Sequence, residues 1–234
     1  MDPLDRLREA PELAAILLDV DGVLAPIVAR PDEAAVPPET RAELERLVVR
    51  YALVACISGR SGADAERIVG VDGVEYAGSH GLELEPDAER WVEPLRAFAA
   101  TVDWPYEDKR LTGSFHYRNA ADEKEARAFL DQVAERARDA GLVPRWGRKV
   151  LELRPPIDAH KGTAVRRLLD ERALRRALYA GDDTTDLDAF DALDSLEVAV
   201  RVAIASDEGP PELRGAADVV VDGPAEFREL LRRL

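Results

Sequence analysis

Two aspartates one residue apart, followed at once by glycine, are the strongest chemical signal in this chain: Asp19-Val20-Asp21-Gly22. They close a continuous apolar run from Ala14 to Leu18, which reads as a strand buried on both faces. Unpaired buried charges are expensive, so acids at such a strand end need a cation. The glycine lets the backbone leave the sheet sharply or approach a ligand closely. Another acidic cluster, Gly181-Asp182-Asp183-Thr184-Thr185-Asp186, follows the apolar run Ala177 to Ala180. Alone it would read as an acidic helix start favoured by the helix dipole. Paired with Asp19 and Asp21 it reads as further ligands for one ion. Asp19, Asp21 and Asp182 offer hard oxygens suited to Mg²⁺, which keeps waters and also accepts a phosphate oxygen. The three histidines lack metal-ligand spacing, and no Cys/His set for zinc exists. The acids predict a Mg²⁺-dependent phosphate-handling site with Asp19 as the nucleophile.

Other strand ends carry polar chemistry too. Ala52 to Ile57 reads as a second buried strand and runs directly into Ser58-Gly59-Arg60, with Ser61 and Asp64 spaced as a capping box for the next helix. Ser58-Gly59-Arg60 is either an anion cradle or an ordinary turn, and its place after a second core strand favours function. Val74 to Gly78 is a third strand, ending in Ser79-His80-Gly81, where His80 binds a substrate hydroxyl or fills a turn; the ligand role is expected. In an open parallel sheet these ends gather in one crevice at the carboxyl edge. Lys161 opens a helix and is one of only four lysines among 32 basic residues.

The elements that must hold these residues alternate strand and helix, which predicts an α/β fold with a Rossmann-like core and a parallel sheet. The texture changes over residues 86–156, where all three tryptophans (Trp91, Trp104 and Trp146) lie. There, Glu93 to Thr101 reads as a helix start and Leu111 to Arg118 as a half-exposed strand. Asp122 to Ala140 reads as a long amphipathic helix, and Leu142 to Trp146 with Arg148 to Leu153 as a hairpin turning at Gly147. This α+β stretch is expected to be a cap domain inserted into a core made of residues 1–85 and 157–234, with links near 84–87 and 155–159. Trp91 and Trp104 are expected to pack within it, while the role of Trp146 is left undecided. Beyond it, a helix from Asp186 to Leu193 is expected, capped by Thr185 with Asp188 three residues on. Strands at Val198 to Ile204 and Asp218 to Val221 and a terminal helix from Ala225 to Leu234 complete the series.

At 234 residues, 46% of them hydrophobic, the chain can bury a full core. A formal net charge of −15 argues against nucleic acid and anionic membrane partners, because the long-range field repels polyanions. No apolar stretch approaches a membrane span, and the opening Met1-Asp2-Pro3-Leu4-Asp5 lacks the basic start of a signal peptide. The single cysteine, Cys56, lies in an apolar run and suits a reducing compartment. A cytoplasmic monomer acting on a small molecule is expected.

In order and in type these residues resemble the haloacid dehalogenase-like (HAD) phosphatase superfamily. Its pattern is Asp-x-Asp after strand one, Ser or Thr after strand two, a lysine at a helix start, and Gly-Asp-Asp-x-x-Asp after a later strand. The place of the insert resembles that superfamily's type 2 (C2) caps. More narrowly, the chain is similar to the trehalose-6-phosphate phosphatase family over about residues 12 to 230. The stretches that carry this are Ile57-Ser58-Gly59-Arg60, Ala77-Gly78-Ser79-His80-Gly81-Leu82-Glu83, Ser114-Phe115-His116-Tyr117-Arg118-Asn119, Lys149-Val150-Leu151-Glu152-Leu153-Arg154-Pro155, His160-Lys161-Gly162 and Gly181 to Asp186.

The resemblance implies a phosphoric monoester hydrolase that converts trehalose 6-phosphate to trehalose and phosphate through an aspartyl-phosphate on Asp19. It implies Asp21 as general acid and base, and Mg²⁺ held by Asp19, the Asp21 backbone carbonyl and Asp182. Ser58 and Lys161 would hold phosphoryl oxygens, and Asp183 and Asp186 would orient metal waters or Lys161. Substrate contacts would come from Gly59, Arg60, Ser79, His80 and Gly81, and in the cap from His116, Arg118, Asn119, Lys149, Glu152 and Arg154. Periodicity alone would make that cap set an exposed polar sheet face. Alternatives are a phosphatase for another sugar phosphate, of the sucrose-phosphate or glucosyl-3-phosphoglycerate type, and a non-catalytic regulatory partner of a trehalose-synthesising enzyme. The intact Asp19, Asp21, Lys161 and Asp182 argue against the last. Two positions depart from the family pattern: Val23 stands where threonine is usual, and Leu187 where glutamate is common.

Overall fold

The computed structural model describes residues 3–28, 30, 33–147, 149–206 and 209–234. A short helix α1 (Pro3–Arg8) buries Leu4 and Leu7 and precedes β1 (Ala14–Leu18), which is buried throughout. Helix α2 (Pro38–Arg50) opens on prolines, tolerated because first-turn N–H groups have no partner within the helix. β2 (Leu53–Ile57), α3 (Gly62–Val69) and β3 (Glu75–Ala77) follow. Next come α4 (Val92–Ala99), β4 (Tyr106–Asp108), β5 (Gly113–His116), α5 (Glu123–Asp139), β6 (Val143–Gly147) and β7 (Val150–Arg154). The chain continues through α6 (Lys161–Asp170), β8 (Arg176–Gly181), α7 (Leu187–Ala192), β9 (Val198–Ala205), α8 (Pro211–Ala216), β10 (Val219–Asp222) and α9 (Gly223–Arg232). These elements form two compact units, Met1–Leu84 with Ala159–Leu234, and Glu85–Asp158.

The first unit is built on a six-stranded sheet in the order β10-β9-β8-β1-β2-β3, parallel at every pairing. Side chains of a strand alternate between faces, and here both faces are covered. Ala14, Ile16 and Leu18 of β1 pack in one apolar layer with Leu44 and Leu47 of α2, Ile68 of α3 and Phe227 of α9. Ala15 and Leu17 pack in the other with Val165 and Leu168 of α6 and Phe190 of α7. Double burial is why β1 reads as a continuous apolar run. Register then fixes the chemistry: Leu18 lies between Cys56 of β2 and Ala180 of β8. Asp19, Ser58 and Asp182 therefore leave the sheet at the same carboxyl edge.

The second unit carries an antiparallel sheet in the order β4-β5-β7-β6. Phe115, Leu151 and Leu153 pack with Leu95 of α4 and Ala126, Leu130 and Val133 of α5. Asp122 starts α5, its carboxylate accepting from the N–H groups of Lys124 and Glu125. One residue along, the cross-strand row Glu107, Ser114, Glu152 and Arg145 takes the opposite, polar face. Among the described residues no helix is long and apolar enough to cross a membrane.

Several local expectations shift. The strand expected at Leu111 to Arg118 is confined to Gly113–His116, and its first three residues are buried. The hairpin expected to turn at Gly147 pairs Gly147 with Val150; Lys149 has a positive φ, and Arg148 lies outside the described residues. The helix after β8 is not capped by Thr185 and Asp188. Asp183 and Asp186 form the capping box of a tight turn at Thr184–Asp186, and α7 starts only at Leu187. Asp64 fills half of the predicted capping box: its N–H donates to Ser61 Oγ, but its carboxylate goes to Arg60 and Arg67. β4 was not anticipated, because Glu107 and Asp108 hide an edge strand.

All three tryptophans lie in the second unit and pack against its core, so their fluorescence reports on that unit alone. Phe115 is fully buried there. Phe115→Ala is expected to lower the unit's stability by about 3–5 kcal/mol, read as an earlier urea midpoint in tryptophan fluorescence. An unchanged midpoint would refute this packing.

Candidate active site

At the carboxyl edge of the parallel sheet, Asp19, Asp21, Ser58, Gly59, Arg60, His80, Lys161, Asp182 and Asp183 line one cavity of about 390 Å³. The route of the chain out of β1 makes this possible. Gly22 has a φ of +78°, and a Cβ there would collide with the Asp182 carboxylate. Gly22 N–H donates to Ala25 O and Ala25 N–H returns to Val20 O, folding the segment back over the strand end. Gly181 plays a parallel part, because its missing side chain leaves room for the Asp186 carboxyl group.

Lys161 begins α6 and is buried, with Nζ 2.9 Å from Asp19 and 2.7 Å from Asp186. Asp186 is fully enclosed and both its oxygens are committed. Oδ1 accepts from Lys161 Nζ and Tyr179 OH, each at 2.7 Å, while Oδ2 accepts from the backbone N–H groups of Asp182 and Asp183 at 3.0 and 2.9 Å. Asp19, Asp182 and Asp186 each place an oxygen within 4.8 Å of the others. Three carboxylates thus cluster about one ammonium that pairs with two of them, and the surplus is negative. Burial pushes the Asp19 carboxyl up against the pull of Lys161. Burial, then the charges of Asp19 and Asp186, raise Asp182 to about 8. For Lys161 burial works downward, but Asp19 and Asp186 outweigh it and hold the ammonium above its ordinary value. No described residue donates to the Asp182 carboxylate. Hard oxygens carrying unbalanced charge fit a divalent cation, and Asp19 and Asp182 are the side chains with lone pairs to give it.

Opposite these acids, the Ser58 hydroxyl accepts from Arg60 N–H at 3.2 Å, and the Ser58 and Arg60 carbonyls accept from His80 and Ser79 N–H. Ser79 and His80 are both in the left-handed region, at φ +52° and +57°, a strained conformation that persists where surrounding bonds over-determine it. The His80 ring lies over Gly59, where a Cβ would come within 2.8 Å of it. Glu83 secures the turn by accepting from Gly62 and Gly78 N–H. Of the expected contacts, Gly59, Arg60 and His80 line the cavity, whereas Ser79 and Gly81 are buried in the turn behind it. The Arg60 guanidinium pairs with Asp21 and Asp64.

In the second unit, His116 and Glu152 lie on the polar sheet face, where His116 Nε2 is 2.7 Å from Glu107 and Glu152 accepts from Thr112. Arg154 follows Glu152 by two and shares that face; it is buried, and burial followed by Arg145 holds it below the usual guanidinium value. Lys149 pairs with Glu123 at the start of α5, and Arg118 and Asn119 are exposed just beyond β5. Trp146, whose role the sequence leaves undecided, meets Tyr117 edge-on and lies under the Arg127 guanidinium.

Sequence reasoning missed Ile27, Val28, Thr185, Ser206 and Gly209, which also line the cavity, as well as Tyr179 and Glu83. Ile27, Val28, Ser206 and Gly209 belong to no recognisable pattern, and Thr185, inside the Gly181 to Asp186 stretch, reads as a helix cap instead. A tyrosine in the otherwise aliphatic run of β8 was the available signal for Tyr179, since a buried phenol needs a partner. The two departures are absorbed by packing: Val23 is buried in one apolar layer, and Leu187 packs against the other.

The raised carboxyls have a stability consequence. Between the ordinary carboxylate range and about pH 8 the folded protein binds more protons than the unfolded chain, so these groups make stability fall as pH rises through that window. Without divalent cation, Asp182→Asn is expected to melt higher than wild type at pH 8 and to lose this part of the slope. Added cation should raise the wild-type midpoint more at about pH 8 than at about pH 6, since protons compete with it. Equal thermal shifts at both pH values would reject the cation site.

The trehalose-phosphatase family profile matches residues 17–104 and 96–224. The chain is 36% identical over 242 residues to the trehalose-phosphate phosphatase of Mycobacterium marinum, an alignment covering 94% of this chain and 61% of that protein. It therefore spans about three-fifths of the length of the mycobacterial trehalose-phosphate phosphatases it matches. Among solved structures, a trehalose-6-phosphate phosphatase related protein superposes with a TM-score of 0.70 at 25% identity, over 93% of this chain and 95% of the other. A haloacid dehalogenase-like hydrolase from Bacteroides thetaiotaomicron superposes with a TM-score of 0.67 at 16% identity, over 94% and 98%. At that identity the likeness is one of fold.

Proposed function

The chain belongs to the trehalose-phosphatase family, and from that premise we propose that it is a Mg²⁺-dependent phosphatase releasing phosphate from trehalose 6-phosphate. The observation that carries the reading is the buried Asp19–Lys161–Asp186 set with Asp182 beside it at the end of β1. Mg²⁺ held by Asp19, Asp182 and the Asp21 backbone carbonyl would offset phosphate charge, so that one anion can approach another.

The chain's own residues supply the rest. An Asp19 carboxylate oxygen bonds to phosphorus, the bond from phosphorus to the sugar oxygen breaks, and the electron pair leaves with that oxygen, which takes a proton from Asp21. Water then attacks the aspartyl-phosphate, gives a proton to Asp21, and the bond between Asp19 and phosphorus breaks. Lys161 has three N–H donors; two face Asp19 and Asp186, leaving the third for a phosphoryl oxygen. The Ser58 oxygen accepts from Arg60 N–H, so its own proton is left to donate to phosphate. Asp186 acts through Lys161, fixing where the ammonium points, and Asp183 shapes the turn that carries Asp182.

The second unit is the specificity module in this reading. Its polar sheet face, with His116, Glu152 and Arg154 and the nearby Arg118, Asn119 and Lys149, binds the sugar. Polar groups covered by a bound sugar reject analogues that leave them unpaired.

Phosphate release across trehalose 6-phosphate, sucrose 6-phosphate, glucosyl-3-phosphoglycerate and glucose 6-phosphate, with and without Mg²⁺, tests the proposal. Trehalose 6-phosphate is expected to have the highest kcat/KM, by about tenfold or more, and Asp19→Asn to lose at least about 10³-fold in kcat. Equal turnover of all four esters would reject the substrate, and appreciable activity of Asp19→Asn would reject the nucleophile.

A further inference from the structure

Besides the lysine–carboxylate set, the cavity holds an arginine–carboxylate pair whose guanidinium the chemistry above leaves unused. Arg60 Nε donates to Asp21 Oδ2 at 2.7 Å and Nη2 to Asp21 Oδ1 at 2.8 Å, a bidentate pair between residues 39 apart in sequence. Nη1 donates to Asp64 at 2.8 Å, in the first turn of α3, and Asp64 also takes Arg67. The Arg60 backbone is fixed as well: its N–H donates to the Ser58 hydroxyl and its carbonyl accepts from Ser79 N–H.

We propose that Arg60 is a positioning residue for the acid/base group. It holds the Asp21 carboxylate in line with the sugar oxygen and couples it, through the Arg60 backbone, to the Ser58 hydroxyl that faces phosphate. The inference rests on the reading of Asp21 given above and adds a residue to it. The side-on edge of the guanidinium, the edge shaped for a phosphate, is occupied by Asp21, so a direct grip on substrate is the poorer use of this side chain. Stability is a poor explanation too. The Asp21 side chain is 38% and the Arg60 side chain 15% exposed, so the pair is reached by water from the carboxylate side, and ion pairs in contact with water contribute about 0–1 kcal/mol. What a bidentate pair adds is fixed geometry, because two parallel bonds allow one orientation of the carboxylate plane.

Placement of a proton donor matters in proportion to how badly the leaving group needs the proton. A sugar alkoxide is a poor leaving group, whereas para-nitrophenolate departs unaided. The measured quantity is therefore the ratio of kcat/KM for trehalose 6-phosphate to that for para-nitrophenyl phosphate, in wild type, Arg60→Ala, Arg60→Lys, Asp21→Asn and the Arg60→Ala/Asp21→Asn double variant. The ratio does not depend on the fraction of folded enzyme, so a partly misfolded variant still reports.

Arg60→Ala is expected to lower the ratio by about tenfold or more, because a misplaced group costs catalysis steeply. Arg60→Lys, with a point charge in place of a fork, should fall between it and wild type. In the Asp21→Asn background, Arg60→Ala should move the ratio by less than about twofold, since residues acting through one group are not additive. An unchanged ratio in Arg60→Ala, or a full second drop in the Asp21→Asn background, overturns the inference. The first outcome would leave a structural pair, and the second a direct substrate contact. If another sugar phosphate from the panel is the better substrate, that ester replaces trehalose 6-phosphate in the ratio. The substrate assignment can then fail while Arg60 is still judged.

Discussion

The rest of this structure depends on the burial of Lys161 among carboxylates at the end of a parallel sheet. An ammonium with almost no exposure is tolerable only if it is paired, and here Asp19 and Asp186 both pair with it. Asp186 then needs holding in turn, which Tyr179 and two backbone N–H groups do, so that one strand end, one tight turn and one helix start are locked together. The glycines beside the acids follow from the same demand for space. A side chain at Gly22 would displace Asp182, and one at Gly181 would displace Asp186. Yet the arrangement is not electrically closed. Adding Asp182 to a set already neutral or negative makes little sense for stability, and this local cost with no local return is the mark of a site.

How much of this the sequence discloses depends on how far apart the interacting groups are. The strands of the parallel sheet are legible because each is a run buried on both faces, and the acid pair because it ends such a run. Ser58 and Asp182 could be placed beside Asp19 because strand ends in an open parallel sheet share one edge, and the register of Leu18 with Cys56 and Ala180 bears that out. Long-range pairings are another matter. Arg60 reaches Asp21 only because β1 and β2 are neighbours in a particular register, and nothing in either local stretch encodes that. Tyr179 sits among aliphatic residues and looks like core until its hydroxyl is found on Asp186. Helix starts mislead for a related reason: Thr185 and Asp188 have the spacing of a capping box, but Asp183 and Asp186 form one earlier and with better partners.

The second unit shows the same division in a sheet with one polar face. Its polar candidates lie on two segments that the sequence could only call adjacent. Pairing of His116 with Val150 and of Ser114 with Glu152 turns adjacency into a shared face, since residues two apart on a strand point the same way. It also separates them from Phe115, Leu151 and Leu153, which form the core with α4 and α5. Lys149 belongs to neither group, because it sits in the turn between β6 and β7 and pairs with Glu123. Polar residue type alone could not make that distinction, and register could.

An anionic ester approaching a chain of net charge −15 meets a field of the wrong sign. Basic side chains do not correct it locally. Lys161 is shared by Asp19 and Asp186, and Arg60 by Asp21 and Asp64, so each of these cations at the cavity already answers to two carboxylates. Asp182 and Asp183 stand on the cavity wall in addition. Lys161 and Arg60 can orient a phosphoryl group or a catalytic acid, but they cannot by themselves make the pocket attractive to phosphate. A divalent cation on Asp19 and Asp182 changes the balance at the one point where the carboxylates have lone pairs to give. In this site the metal would be a condition of phosphate entering at all as well as an aid to its transfer.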